Sequence, residues 1–374
     1  MKEDKNGRID DSDELFDKIG EQLDNEEYDA VVSEILSIPR EKWSNRLRFD
    51  LICAYNDMRD FKKAGAELNE AAPLCETAHD KARYNYLRGY ICYMNDKEIA
   101  ARRFYRDAAK IDPEYAAEIK LEEDIADCDG IIAENLTKLR QISGLARRDI
   151  KVRCSQSAEK KKLSDEEFTT RLGFFPAIRI LPGFAAPMGF GGYFDRLEGE
   201  EKEKTRQWFA DYYGVTDTES FFEHLAKSRD CNLSRMTDDV MAFILGKPSF
   251  DVRQLTEDGL FAFENSINFV RQFAEYLPRG GISAWDIGEK IGFVRHAYRC
   301  GIIGKDDYSR TMLMLTEDAR KRFSSWEEYM CSLIYGAAVF VYSLDDWNIA
   351  GAISFIRDMM GIMLRHDLGD MSWS

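Results

Sequence analysis

The sequence predicts an all-α protein built in two helical parts, and three observations lead there. Apolar residues recur at helical spacing along most of the 374 residues, strand-like alternation is sparse, and Ser, Thr and Asp repeatedly stand where helix N-caps belong. The chain is longer than one hydrophobic core usually serves, so more than one domain is expected. Its composition, 44% hydrophobic and 32% charged, is that of a soluble globular protein. Lys and Arg number 52 against 68 Asp and Glu, a net charge of −16. That balance argues against nucleic-acid phosphates and anionic membrane surfaces as partners and favours a basic protein or peptide.

The first part, expected over residues 12–148, carries an internal repeat. Gly89, Ala101, Tyr105, Ala108 and Pro113 follow one another at intervals of 12, 4, 3 and 5. A shift of 37 residues brings Ile52, Ala64, Leu68 and Ala71 into register, with Tyr55 and Phe61 at aromatic positions. The stretch EEYDAVVSEIL sets Tyr28 in the place of Phe61, so a third unit is expected from near Ser12. This pattern resembles the tetratricopeptide repeat, and departs from it at Ile52 and Val31, where a small residue is usual. Single helix pairs of this kind cannot bury their apolar faces alone, so stacked pairs make one continuous core.

The resemblance implies a concave face lined by the first helix of each pair. Its binding candidates here are Arg46, Phe49 and Asn56 on one helix and Arg83, Tyr86, Tyr90 and Tyr93 on the next. The three tyrosines are spaced four and three apart and share one face, from which stacking and charge would grip a peptide. The plainer expectation for such a row is packing against the next element.

Helical capping segments are expected to follow Pro113, then a polar linker over 149–171 whose Lys160–Lys162 run is a solvated face. An apolar connector follows over 172–201. Within it LGFFPAIRILPGFAAPMGFGGYF is interrupted by Pro176, Pro182 and Pro187 and four later glycines, which would leave backbone groups unpaired in lipid, so no membrane span is expected. A buried connector is the expected role, a lid the alternative. The N-terminal residues show no export signal, and eight cysteines without a C-x-x-C pair point to reduced thiols. A cytoplasmic location is expected.

In the second part, 202–374, two Trp-acid pairs stand out: SAWD at Ser283–Asp286 and SSWE at Ser324–Glu327. Each places a serine at an N-cap and an acid three residues on, with Trp285 and Trp326 at the second helical position. DDWN at 345–348 is a third case. Gly301 is positioned as a C-terminal cap, and Ile287, Ile291, Val294 and Tyr298 define a buried stripe.

Local catalytic patterns are sparse. Asp286 and Arg295 are nine residues apart, about 900° around the helix, and cannot converge unaided. The histidines at 79, 224, 296 and 366 have no metal-ligand spacing, and GFGGY has no Walker lysine after it. No metal, cofactor or catalytic residue is predicted. If the fold assembles a site in this part, its candidates are Asp286, Arg295, His296, Tyr298 and Arg299.

The run SAWDIGEKIGFVRHAYRCGIIGKDDYSR and the later FSSWEEYMCSLIYGAAVF resemble the bacterial domain of unknown function 1266. Its pattern falls here on Trp285, Asp286, Arg295, Tyr298, Gly301, Ile303, Trp326, Glu327, Glu328, Gly336 and Ala337, and covers about Lys202 to Phe340. Ala337 stands where that pattern has Arg. The resemblance implies a helical fold and bacterial origin, and no activity. The function expected from the whole is a protein- or peptide-binding adaptor using the repeat face. The alternatives are an enzyme with a site between the 172–194 connector and the C-terminal helices, or an immunity or anti-toxin protein. The sequence leaves the oligomeric state open.

Overall fold

Helices in the first part come in pairs joined by one kind of turn. Pairs are formed by α1 (Glu14–Asp24) and α2 (Tyr28–Leu36), α3 (Asn45–Asp57) and α4 (Phe61–Ala71), and α5 (Ala78–Met94) and α6 (Glu98–Ile111). Between the members of each pair one non-glycine residue takes the left-handed conformation: Glu26, Arg59 and Asp96, with φ of 61°, 60° and 59°. The amide just after it donates five residues back, Glu27 to Gln22, Asp60 to Tyr55 and Lys97 to Cys92, at 2.8, 2.8 and 2.9 Å. These bonds satisfy carbonyls that the end of a helix would otherwise leave open.

The computed structural model describes residue 9 and residues 14–113, 121–157, 159–173, 196–227, 233–344, 348–365 and 367–373. Among them are sixteen α-helices and no β-strand, so the fold is all-α: a helical-repeat array followed by a helical C-terminal part. No helix among the described residues is long and apolar enough to cross a membrane. Most of the apolar stretch 172–194 and the DDWN tryptophan lie outside the described residues. Two compact units are present, the first made of Met1–Glu134 with the short segment Asp345–Ile349, the second of Asn135–Leu344 and Ala350–Ser374. The boundary at Glu134 is the main one. That division falls inside a long helix, α7 (Leu121–Ser155).

In the first unit the repeat's departure at Ile52 is explained by paired volumes. A Cβ on Gly89 would lie 2.7 Å from the Tyr105 ring, so glycine is what lets a tyrosine seat against α5. One pair earlier the same two places hold Ile52 and Leu68, both buried in one core cluster. A larger residue on the first helix thus accompanies a smaller one on the second. Side-chain caps fix the helix starts: Ser44 accepts from Leu47 N, Asp60 from Lys63 N and Thr77 from Asp80 N.

The second unit is built around α13 (Ser283–Arg299), eleven of whose seventeen residues are buried. It packs against α14 (Lys305–Arg322) and α15 (Trp326–Leu344), with α8 (Asp165–Leu172), α9 (Gly199–Tyr213) and α11 (Leu233–Ile244) also against it. Helices α10 (Thr218–Lys227), α12 (Glu257–Arg271) and α16 (Ile349–Arg365) complete this unit. Residues 329–339 of α15 are buried without interruption, as expected of a helix apolar on all sides.

The Trp-acid pairs are helix starts, with the caps displaced from their expected positions. Helix α13 begins at Ser283 itself, after Ile282, and the Ser283 hydroxyl donates to Gly280 O at 2.7 Å. The Ala284 amide is satisfied by Ser332 Oγ of α15 at 3.0 Å, and Asp286 accepts from the Ser234 amide at 3.0 Å. In the second pair Ser325, not Ser324, caps: it accepts from Glu328 N at 3.2 Å, while the Glu328 carboxylate takes the Ser324 amide at 2.7 Å. Trp285 and Trp326 are therefore the third and first helical residues. Both are buried, 1% and 3% exposed.

The span 149–171, read as a linker, is helix up to Ser155 and again from Asp165, where Ser164 and Glu167 form a reciprocal capping box. Long-range contacts fix it. Arg153 grips Asp370 through two nitrogens at 2.7 and 2.5 Å, Ser372 N donates to Lys161 O at 2.8 Å, and Phe168 packs 5.2 Å from Trp326.

Candidate functional site

The repeat-face candidates separate into core and surface. Phe49 and Asn56 are buried, 1% and 3% exposed, so they line the core of the first unit rather than an open groove. Arg46 sits over the Phe16 ring at 4.5 Å, and Arg83 over Phe49 at 5.3 Å while it pairs with Asp50 at 2.8 Å. Both arginines are thereby held along the α1–α3–α5 side.

The tyrosine row on α5 is half-buried. Tyr86 lies 5.3 Å from Tyr105 and donates its hydroxyl to Asp124, near the start of α7. Burial raises the pKa of Tyr90 and Tyr93. Carboxylates add to it: Asp57 and Asp124 at Tyr90, where Arg59 opposes them, and Asp127 and Asp124 at Tyr93. Asp124 is itself pushed up, first by burial, with the Tyr86 hydrogen bond pulling the other way. The row is therefore an aromatic surface in an acidic field.

In the second unit the fold brings Arg295, Tyr298 and Arg299 to one cleft of about 630 Å³ between α8, α13 and α14. The reversal after α13 makes it. Gly301 takes φ of 75° and Ile302 N bonds back to Ala297 O at 2.8 Å, which turns the first residues of α14 against the last turn of α13. Tyr298, expected in the buried stripe, instead lines this cleft, stacked on Tyr308 at 4.6 Å with the Arg196 guanidinium 4.0 Å from its ring.

Arg295 is 1% exposed and reaches the carboxyl end of α8, where its Nη2 donates to Thr170 O at 3.1 Å. A cation there meets the negative end of the helix dipole as well as a carbonyl. Tyr329 donates to Leu172 O at 2.7 Å on the same helix end. A Cβ on Gly173 would fall 2.5 Å from Ile291 and 2.6 Å from Arg295, so α8 ends in close contact with α13.

Asp286 and His296 do not join this cleft. Asp286 is committed to the Ser234 amide, on the opposite side of α13 as the helix angle requires. His296 is lowered to about 4, chiefly by burial and then by Arg299 and Arg295, so it is neutral at physiological pH. Among the described residues no group of three His, Cys, Asp or Glu is placed to hold a metal ion.

Residues 209–347 match the family model described as Protein of unknown function (DUF1266). No curated protein and no solved structure matches the chain. The matched segment supplies α13 and α14, two walls of the cleft; the third, α8, lies before it. Asp165 and Glu166 on α8 and Lys305 and Tyr308 on α14 were not singled out from the sequence. For Lys305 and Tyr308 a signal was present. A glycine reversal at Gly301 followed at once by a helix must fold that helix's first turn back on Tyr298.

Proposed function

We propose that the chain is a protein- or peptide-binding adaptor, acting inside the bacterial cell, whose tetratricopeptide-like array takes a basic segment of its partner along α5. The observation that carries this reading is the row Tyr86, Tyr90 and Tyr93 set among Asp57, Asp124 and Asp127. Tyrosine rings offer large contact area at low conformational cost, and their faces attract Lys and Arg side chains. The carboxylates supply the complementary charge, and the net charge of −16 steers a basic partner from a distance. Immunity or anti-toxin action is one form this binding would take, with a basic toxin as the partner.

The test is a fluorescence-anisotropy titration of the full chain with Lys-rich, neutral and Glu-rich peptide pools. Lys-rich peptides should bind best, and Tyr90→Ala and Asp124→Asn should each weaken them by about tenfold. If a folded chain binds all pools equally, or none, the reading fails. The second reading, a small-molecule site or enzyme site in the C-terminal part, is favoured by the ion-lined cleft at Tyr298.

A further inference from the structure

We infer that the chain pairs with a second copy of itself through the exposed face of α14, the two helices running antiparallel about a two-fold axis. The inference stands apart from peptide binding, since α14 belongs to the second unit and the tyrosine row to the first.

The charge pattern of that face carries the inference. Helix α14 turns Thr311, Met312, Leu315, Thr316 and Ala319 inward and leaves Asp306, Arg310, Leu313, Met314, Glu317 and Lys321 exposed. At 100° per residue these six lie within about 50° of one line along the helix. They form two rows at intervals of four. The first reads Asp306, Arg310, Met314, and the second, taken from its far end, reads Lys321, Glu317, Leu313. Position by position the rows are complements: acid against base, base against acid, one apolar side chain against another. A two-fold axis passing level with Leu313 and Met314 lays the first row of each copy along the second row of the other. Such rows are the ridges that interlock in the commonest class of helix packing, and there they run side by side. Four ion pairs would flank an apolar centre made of Leu313 and Met314 from both copies.

A single copy leaves this pattern unused. Favourable pairs at a spacing of four are on offer within the helix, Asp306 with Arg310 and Glu317 with Lys321. Neither forms: among the described residues Asp306, Glu317 and Lys321 have no ion-pair partner, and Arg310 reaches Asp307 instead, at 2.7 Å through one nitrogen. An exposed pair of that kind is weak, and the guanidinium has further donors for Glu317 of a second copy. Leu313 and Met314 stand side by side 50% and 42% exposed, where burial against their counterparts is favourable. The face itself is neutral, two acids against two bases, in a chain of net charge −16, so it offers close approach without like-charge contact. Leu313 also lines the cleft, so the second copy would stand at the cleft's rim.

The experiment is sedimentation equilibrium of the full chain from about 1 to about 200 μM, a range suited to an interface of one helix pair. The chain should pass from monomer toward dimer across it. Arg310→Glu and Glu317→Arg should each raise the dissociation constant at least about tenfold, because each sets like charges opposite one another twice. An equimolar mixture of the two variants should recover the original value to within about threefold, since each copy then meets the opposite sign in the other. Leu313→Ser should weaken the dimer with no such rescue. All three positions are exposed, so the variants are expected to fold, which circular dichroism checks. A chain that stays monomeric throughout, a dimer indifferent to the charge reversals, or a mixture no tighter than its components would each overturn the assignment.

Discussion

Trp285 and Gly336 meet where α13 crosses α15, and neither tolerates change. A Cβ on Gly336 would lie 2.4 Å from the Trp285 Cβ and 3.3 Å from Ile282 O, so Gly336→Ala must push the two helices apart. About 1–3 kcal/mol of stability should be lost, as in other overpacked cores. Trp285→Ala instead leaves a cavity beside Phe340, whose ring centroid is 4.9 Å away, and should cost about 3–5 kcal/mol. Urea unfolding of the two variants measures both, and a neutral result for either would contradict the packing described. His296 gives a pH test at the same scale. Its folded pKa is about 4 against an ordinary 6.5. As pH falls through that interval the unfolded chain takes up a proton that the folded chain refuses, so stability declines, by about 3 kcal/mol at the lower end. His296→Gln should flatten that part of the stability profile, while above the ordinary value the two proteins should share one slope.

Helix α8 shows how far local pattern carries and where it stops. Its own capping box, Ser164 with Glu167, is written in the sequence, yet the polar composition around it read as a linker. What makes this stretch part of the fold is remote: Arg295 and Tyr329 at its carboxyl end, Trp326 beside Phe168, and Asp367 paired with Arg171 at 3.0 Å. None of those partners lies within a window that periodicity samples. The same limit explains the displaced caps. Consecutive serines at 324 and 325 give the right motif two registers, and only the packed position of Trp326 chooses between them. Helix existence, the repeat and the burial of both tryptophans were legible because period and side-chain volume are local properties. The cleft was half legible, through Arg295, Tyr298 and Arg299, because they share one helix; Asp165 and Lys305 needed the tertiary fold. Tyr329→Phe removes one buried bond to α8 and should cost about 1–2 kcal/mol, with the Leu172 carbonyl left without that donor. Hydrogen exchange should speed up across 165–172 before it does elsewhere; uniform protection there would show that α8 does not depend on this contact.

Charge is the property that belongs to the whole chain. A net −16 acts over a Debye length of about 10 Å at 0.1 M salt, well beyond any single carboxylate on the tyrosine row. Long-range attraction accelerates encounter, whereas close contacts decide how long the complex lasts. The two should therefore separate in the kinetics of basic-peptide binding. Raising salt from about 0.01 M to about 0.15 M shortens the Debye length from about 30 Å to about 8 Å, so the association rate should fall steeply. The dissociation rate should move much less with salt, because contacts made at the tyrosine faces and at Asp124 are closer than a Debye length and are screened less than the long-range attraction. Tyr90→Ala should do the reverse, raising the dissociation rate by about tenfold with little change in association. Stopped-flow measurements on the full chain distinguish these effects. A dissociation rate that follows salt, with Tyr90→Ala silent, would place the interaction on diffuse surface charge and away from the α5 row.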